Sequence, residues 1–347
     1  MKLHMMLVAC AVALAGFAEP ERAGYIVVSD FVAADGKTDV ADGIQKLIDE
    51  HPNRTLYFPD GTYLLGHPIL TPAHPRQSVD LRLSNYAVLK AAPGWNASEA
   101  MVRLGGKCPA NDITTPGSNY GFTGGIVDGS DVADGISIDG GRETAVTDVS
   151  IKHVRRGLHI KHGANSGSSD CDILHVNIVG NGAADSIGVL VEGYDNTLSN
   201  MRIAGVHIGV ELRGGGNSMR NLHPLHTQDK GAYDESIGFW DKSGGNWYNF
   251  CYSDHFATGF RTTGWGENLY DSCFCMWYTV QGSCQRVFQS DGAFEAIVND
   301  LRVGFHRNSK TNIVLTAGKP GGHGRFAKLW GNVGRATDKA HEAYLRP

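Results

Sequence analysis

The chain has 347 residues, 45 of them glycine, with a formal net charge of −5 and 12 prolines. A mildly acidic chain with no basic tail and no interleaved aromatic and basic residues argues against nucleic acid as a partner. Length alone suggests two domains at about 150 residues each, but the repeat described below runs without a linker and points to one elongated domain over residues 19–347.

Residues 1–18 read as a secretory signal. Lys2 and His4 precede an apolar run over 5–17, and Gly16-Phe17-Ala18 forms a small-residue cleavage site before Glu19. The run is too short to cross a bilayer, so no transmembrane segment is expected and the mature chain is secreted or periplasmic. Leu7-Val8-Ala9-Cys10 has lipoprotein-signal character, but Cys10 sits early and the apolar run continues past it. Residues 27–65 follow, VVSDFVAADGKTDVADGIQKLIDEHPNRTLYFPDGTYLL. Asp39 is placed to N-cap a short helix whose apolar face carries Ile44, Leu47 and Ile48. A strand over 55–58 and the turn Pro59-Asp60-Gly61 come next. Such a helix, laid over the open end of a stack of strands, shields apolar edges from other chains.

From about residue 124 to 304 a repeat emerges on counting back from glycines. The residues 11, 8, 6 and 3 places before Gly157 are Val146, Val149, Ile151 and Val154; before Gly209 they are Leu198, Met201, Ile203 and Val206. Gly135, Gly259 and Gly304 carry similar sets. Gly188 and Gly238 do too, once an insertion in each row is allowed for. After the glycine comes an alternating strand such as Leu158-His159-Ile160-Lys161. Glycine-to-glycine intervals of 22, 31, 21, 29 and 21 residues, with no helical pattern between them, leave no room for βαβ units, which need about 30 residues each. Strand, corner and strand must stack coil on coil. The expected fold is all-β, a right-handed parallel β-helix with a short N-terminal capping helix. A C-terminal cap or tail is expected over about 320–347.

Without the signal, six cysteines remain: Cys108, Cys171, Cys251, Cys273, Cys275 and Cys284. Cys171 and Cys251 fall in inward register and are expected in the core. Cys273, Cys275 and Cys284 are candidates for a disulfide whose pairing the sequence leaves open. Asn53 and Asn96 begin sequons that also arise by chance. Trp240, Trp247 and Trp265 suit sugar stacking or core packing equally.

The segment over 27–65, with its ADGKTD, IQ and LYFPDGTY pieces, resembles the opening coils of the pectate-lyase-like superfamily related to family-28 glycoside hydrolases, phage tailspikes included. The resemblance implies the β-helix and a glycan partner, polysaccharide or oligosaccharide. It does not fix the chemistry, because that group holds hydrolases, lyases, epimerases and binders. The polygalacturonase motifs are mostly missing. Asp134 resembles the first carboxylate, but Arg155-Arg156 replaces the Asp-Asp pair, and Gly322-His323-Gly324 falls after the repeat.

One outward residue per coil on the first strand gives the column Asp128, Ser150, His175, Arg202, His223, Tyr252, Cys273 and Ile297. Beside it at the corner lie Asp131, Lys152-His153, Asn177, His226 and Asp254-His255. Insertions at 180–187 and 228–237 rise from that same corner, so a trough is expected there. The second strand's outward residues, Asp139, Lys161, Glu192 and Arg213, read as a surface charge ladder. For β-elimination of a uronate, a base must take the proton α to the carboxylate, a cation must neutralise that carboxylate, and an acid must serve the leaving oxygen. Candidates for the base are His223, His226, Tyr252 and His255, with Arg202 as the cation. Arg155, Arg156, Lys230, His153, His175, His207 and Asp229 are candidates for substrate binding. Hydrolysis instead needs two carboxyl groups about 5–9.5 Å apart, which Asp254 with Asp229, Asp234 or Glu235 would supply. The lyase reading is preferred because the column is richer in His, Arg and Tyr than in paired acids. A non-catalytic, tailspike-like binder, monomeric or trimeric, is the third reading. No cofactor is certain, although Asp254 and His255 beside His226 suit a divalent cation such as calcium.

Overall fold

In the computed structural model, residues 24–331 are described except for 74–76, 108–120, 164–165, 228, 279–283, 292–295, 306–311, 319–323 and 327–328. Each coil carries three strands rather than the expected two. Ala145–Thr147 lies on a first face, Ser150–Val154 on a second and Arg156–Ile160 on a third. The inward spacing explains the extra corner. Val146 and Val149 are three residues apart, and a period-2 strand buries both only by bending between them. The bend falls at Asp148, with φ 57°.

Coils stack in parallel and in register. Ala145 pairs with Asp172 and Asp172 with Thr197 on the first face; Leu158 pairs with Val189, and Val189 with Val210, on the third. The first two faces run together as one 22-stranded sheet, and the third face has ten strands. This is a right-handed parallel β-helix with rungs about 4.8 Å apart. The inward sets named above are buried throughout. In later coils aromatics replace aliphatics: Tyr248 stacks on Tyr270 at 4.5 Å and Phe239 on Phe260 at 4.9 Å. The repeat glycines answer to close approach between coils. A Cβ on Gly157 would lie 2.6 Å from the carbonyl oxygen of Gly188 one coil on.

At the N-terminal end the helix Ala41–Glu50 buries Ile44, Leu47 and Ile48, as its pattern requires. The N-cap position is Val40 rather than the expected Asp39, and the Asp39 carboxylate, one residue earlier, accepts the Ala41 N–H at 3.1 Å and the Gly66 N–H at 2.9 Å. Gln45 exchanges two hydrogen bonds with the Leu70 backbone, at 3.0 and 2.8 Å. Leu70 belongs to Ile69–Leu70, the outermost strand of the third face, so the helix satisfies an edge that would otherwise pair with another chain.

The corner from third face back to first holds a feature the sequence reading missed. Asn196, Asn217, Asn246 and Asn268 are buried there. The Oδ1 of each accepts the backbone N–H one coil earlier, from Cys171, Asn196, Asn217 and Asn246, at 2.8–3.0 Å. This ladder satisfies groups that no strand reaches.

Cys171 and Cys251 are core residues, as expected. Cys273 and Cys275 are also buried free thiols, which corrects their expected part in a disulfide. The signal at 1–18, Cys10, Cys108, the Cys284 side chain and His323 lie outside the described residues. Within the stretch expected as cap or tail, Gly324–Phe326 and Leu329–Gly331 pair with the preceding coil.

Candidate active site

Register on the second face corrects the outward column. Ser150, Asn177, Arg202 and His223 stand on consecutive rungs, and Tyr252 then Phe274 stand above. Asp128 pairs with Lys152, in the neighbouring column. Cys273 points inward, and Ile297 belongs to the first face, opposite Leu269. His175 sits on the bend between faces with φ 55°. The errors arise because a single strand was assumed where two meet at a corner.

The centre of this face is Asp254. Its Oδ2 lies 3.4 Å from His223 Nε2 and accepts the Tyr252 hydroxyl at 3.1 Å. Its Oδ1 accepts from His255 Nδ1. Burial pushes this carboxyl up, but hydrogen bonds from His223 and His255 outweigh it and bring the pKa down to about 2. His255 Nε2 in turn accepts the Tyr278 N–H at 2.9 Å, so both its nitrogens are engaged. The Tyr252 hydroxyl is pushed well up by burial and by the Asp254 charge, and it stays protonated. Tyr252 stacks on the His223 ring at 4.1 Å and 12°. His223 keeps a quarter of its side chain exposed, and its Nδ1 has no protein partner among the described residues. One rung below, Arg202 is exposed. It donates to the Met201 carbonyl at 3.1 Å and has no carboxylate partner among the described residues.

His226, His207 and Asp229 form a second cluster behind this face. Asp229 Oδ2 lies 2.6 Å from His207 Nδ1 and 3.0 Å from His226 Nε2, and Oδ1 accepts the Gly231 N–H at 2.7 Å. The Asp229 side chain is 1% exposed and that of His226 5%. Burial works against the Asp229 charge, yet hydrogen bonds from His207 and His226 hold the carboxyl far below its ordinary value. A Cβ on Gly231 would come within 2.6 Å of His207 Nδ1, so the loop needs glycine there. These residues fasten the longer insertion to the coil beneath it; they do not line a trough. Lys230 lies exposed on the insertion, and its N–H donates to Gly182 of the shorter one at 2.7 Å. Both insertions end in Ser-Ile-Gly, at Ser186 and Ser236. Each serine hydroxyl donates inside its own loop and accepts an N–H from the coil above, of His207 and Ala257. The repeated tripeptide was a signal the sequence reading passed over.

The remaining candidates lie elsewhere. His153 pairs with Asp128 at 3.0 Å and His175 with Asp148 at 3.2 Å. Arg155 grips Asp134 through two nitrogens at 3.2 and 3.1 Å and reaches Asp185 at 3.3 Å. The Arg156 backbone N–H donates to Asp134 as well. Neither arginine is a free carboxylate receptor. On the third face Asp139, Lys161, Glu192 and Arg213 do form a ladder, partly buried and reinforced by Arg103, His159 and Glu211. Among the described residues no group of three or more His, Cys, Asp or Glu side chains is arranged to hold a metal.

Residues 25–233 match the sequence profile of the family described as rhamnogalacturonase A/epimerase, pectate lyase-like. The chain belongs to this family. No curated protein matches this pectate-lyase-like chain significantly in sequence. Solved structures share its fold. The ORF18 protein of Geobacillus virus E2 is 14% identical with a TM-score of 0.65, over 89% of this chain and 62% of that one. The tailspike protein of E. coli bacteriophage HK620 is 10% identical with a TM-score of 0.66, over 90% and 64%. The A-module of the Azotobacter vinelandii mannuronan C-5 epimerase AlgE6 is 14% identical with a TM-score of 0.55, over 88% and 98%. The chain thus spans under two thirds of the two viral proteins.

Proposed function

We propose that this protein is an exported enzyme that cleaves a uronate-containing glycan by β-elimination on the second face of its β-helix. Family membership and the glycan-epimerising neighbour support a carbohydrate substrate. The observation that carries the reaction class is the pairing of Arg202 with His223 on adjacent rungs. Arg202, free of any carboxylate among the described residues, suits the substrate carboxylate, which it neutralises as the α-carbon gains charge. With its Nε2–H directed at Asp254, His223 offers the Nδ1 lone pair to the proton α to that carboxylate. The C–H electrons form a carbon–carbon double bond and the glycosidic oxygen departs, taking its proton from the Tyr252 hydroxyl, which gives up its hydrogen bond to Asp254 to do so.

Hydrolysis is less well supported, because Asp254, common to all its pairings, is enclosed by donors and almost out of solvent, as is Asp229, although Asp234 and Glu235 are exposed on the insertion. Recombinant protein incubated with polygalacturonate and with alginate tests the reading. The expected product carries a new ultraviolet absorbance from its double bond. New reducing ends without absorbance would mean hydrolysis, and solvent deuterium at the α-carbon without cleavage would mean epimerisation. Binding without reaction would mean a glycan-binding protein.

A further inference from the structure

Along the bend between the first and second faces, one left-handed residue per coil forms a column: Asp148, His175, Asn200, Asn221, Phe250 and Ser272, all with φ between 53° and 57°. The first four make a polar ladder. His175 Nδ1 lies 3.2 Å from Asp148, Asn200 Nδ2 3.5 Å from His175, and Asn221 donates to Asn200 at 2.8 Å. These residue types suit left-handed backbone, because short polar side chains bond locally there. Phe250 breaks the pattern twice. A phenylalanine is strained in this region, and 55% of it faces solvent. Strain and an exposed aromatic ring held together at one surface position point to use by a ligand.

Its surroundings say which ligand. On the same rung, Trp247 is 49% exposed on the first face. Asn249 lies between them and donates to Asp271 at 3.1 Å. Arg220 is exposed on the rung beneath, opposite Asn249, and has no ion-pair partner among the described residues. Two rings separated by polar groups, with a free guanidinium alongside, suit a pyranose that offers apolar C–H faces, hydroxyls and a carboxylate. A charged Arg220 and a polar Asn249 within the patch do not suit the core of a protein interface, which is depleted of charged residues. Arg220 also stands only three residues before His223, and Phe250 two residues before the ring stacked on it.

We infer that Trp247, Phe250 and Arg220 form a glycan subsite outside the reacting centre, which holds an acidic sugar of the same chain as it crosses the bend onto the first face. The inference rests on the uronate reading above.

The test uses Phe250→Asn, which installs the residue native to the column at Asn200 and Asn221, together with Trp247→Ala and Arg220→Ala. Oligogalacturonate and oligoalginate binding is measured by calorimetry on the full protein, with thermal unfolding in parallel. Phe250→Asn is expected to raise the melting temperature by about 2 °C or more while weakening binding about tenfold. Arg220→Ala should weaken binding of acidic oligomers more than of their methyl esters. A merely structural Phe250 would give lower stability or unchanged affinity, and either result overturns the subsite. An oligomer in gel filtration that Phe250→Asn dissociates would overturn it in favour of a second copy of the chain. Failure of the wild-type protein to bind either oligomer would instead remove the uronate reading, whereas active wild type with unaffected variants removes the subsite alone.

Discussion

Asp254 and His223 face each other across 3.4 Å on adjacent rungs of the second face, carboxylate to Nε2. The carboxylate fixes which imidazole nitrogen carries the hydrogen, and so leaves Nδ1 as the atom open to substrate. Asp254→Asn keeps the size but replaces the charged acceptor with an amide. It is expected to lower kcat on a uronate polymer by about 10²–10⁴-fold with little change in KM. His223→Ala should do at least as much. Steady-state kinetics on the two variants checks both, and an Asp254→Asn enzyme with wild-type kcat would detach the carboxylate from the chemistry.

Acid should destabilise the protein through its depressed carboxyls, Glu192, Asp254 and Asp229 among them. Glu192, held down chiefly by its hydrogen bond from His159, and Asp254 both have folded values of about 2. A carboxyl depressed in the folded state contributes stability above its unfolded value and loses it as pH falls through the folded one. Urea midpoints should therefore be flat near neutrality and drop between about pH 4.5 and pH 2. Glu192→Gln should shallow that drop.

Removal of Asp229 leaves two buried imidazoles without their acceptor. Asp229→Ala is expected to cost about 1–3 kcal/mol and to expose residues 228–236 to proteolysis. Urea unfolding and limited digestion measure the two effects. If Asp229 contacted substrate instead, the variant would lose affinity with its stability intact.

Asn217 is the best-connected rung of the asparagine ladder, with four side-chain hydrogen bonds to backbone groups and two to the side chains of Asn196 and Asn246. Asn217→Ala should destabilise by about 1–3 kcal/mol without altering the turnover of whatever folds. Paired denaturation and kinetic measurements separate these.

Much of the fold was legible because burial and steric approach leave marks in the sequence. Gly157 must stay bare beneath Gly188, and Val146, Val149, Ile151 and Val154 must face inward. The division between the first and second faces was hidden because spacings of three and two along one apolar row look like a single irregular strand until a bend is allowed at Asp148. That same omission put Cys273 outside and His175 in the wrong column. The asparagine ladder was readable in principle, since an Asn stands two residues before each of Leu198, Met219, Tyr248 and Tyr270. The gathering of His223, Tyr252, Asp254 and His255 followed from register. The burial of His207, His226 and Asp229 did not, because it depends on how an insertion folds back onto the coil below, which no periodicity encodes.

Arg202 gives the sharpest test of the whole account. Initial rates of double-bond formation should be compared between polygalacturonate and its methyl ester, for wild type and Arg202→Ala. If the guanidinium neutralises the substrate carboxylate, wild type will favour the free acid and Arg202→Ala will lose that preference together with most of its rate. A variant that keeps both would leave β-elimination on this face without its cation and contradict the assignment.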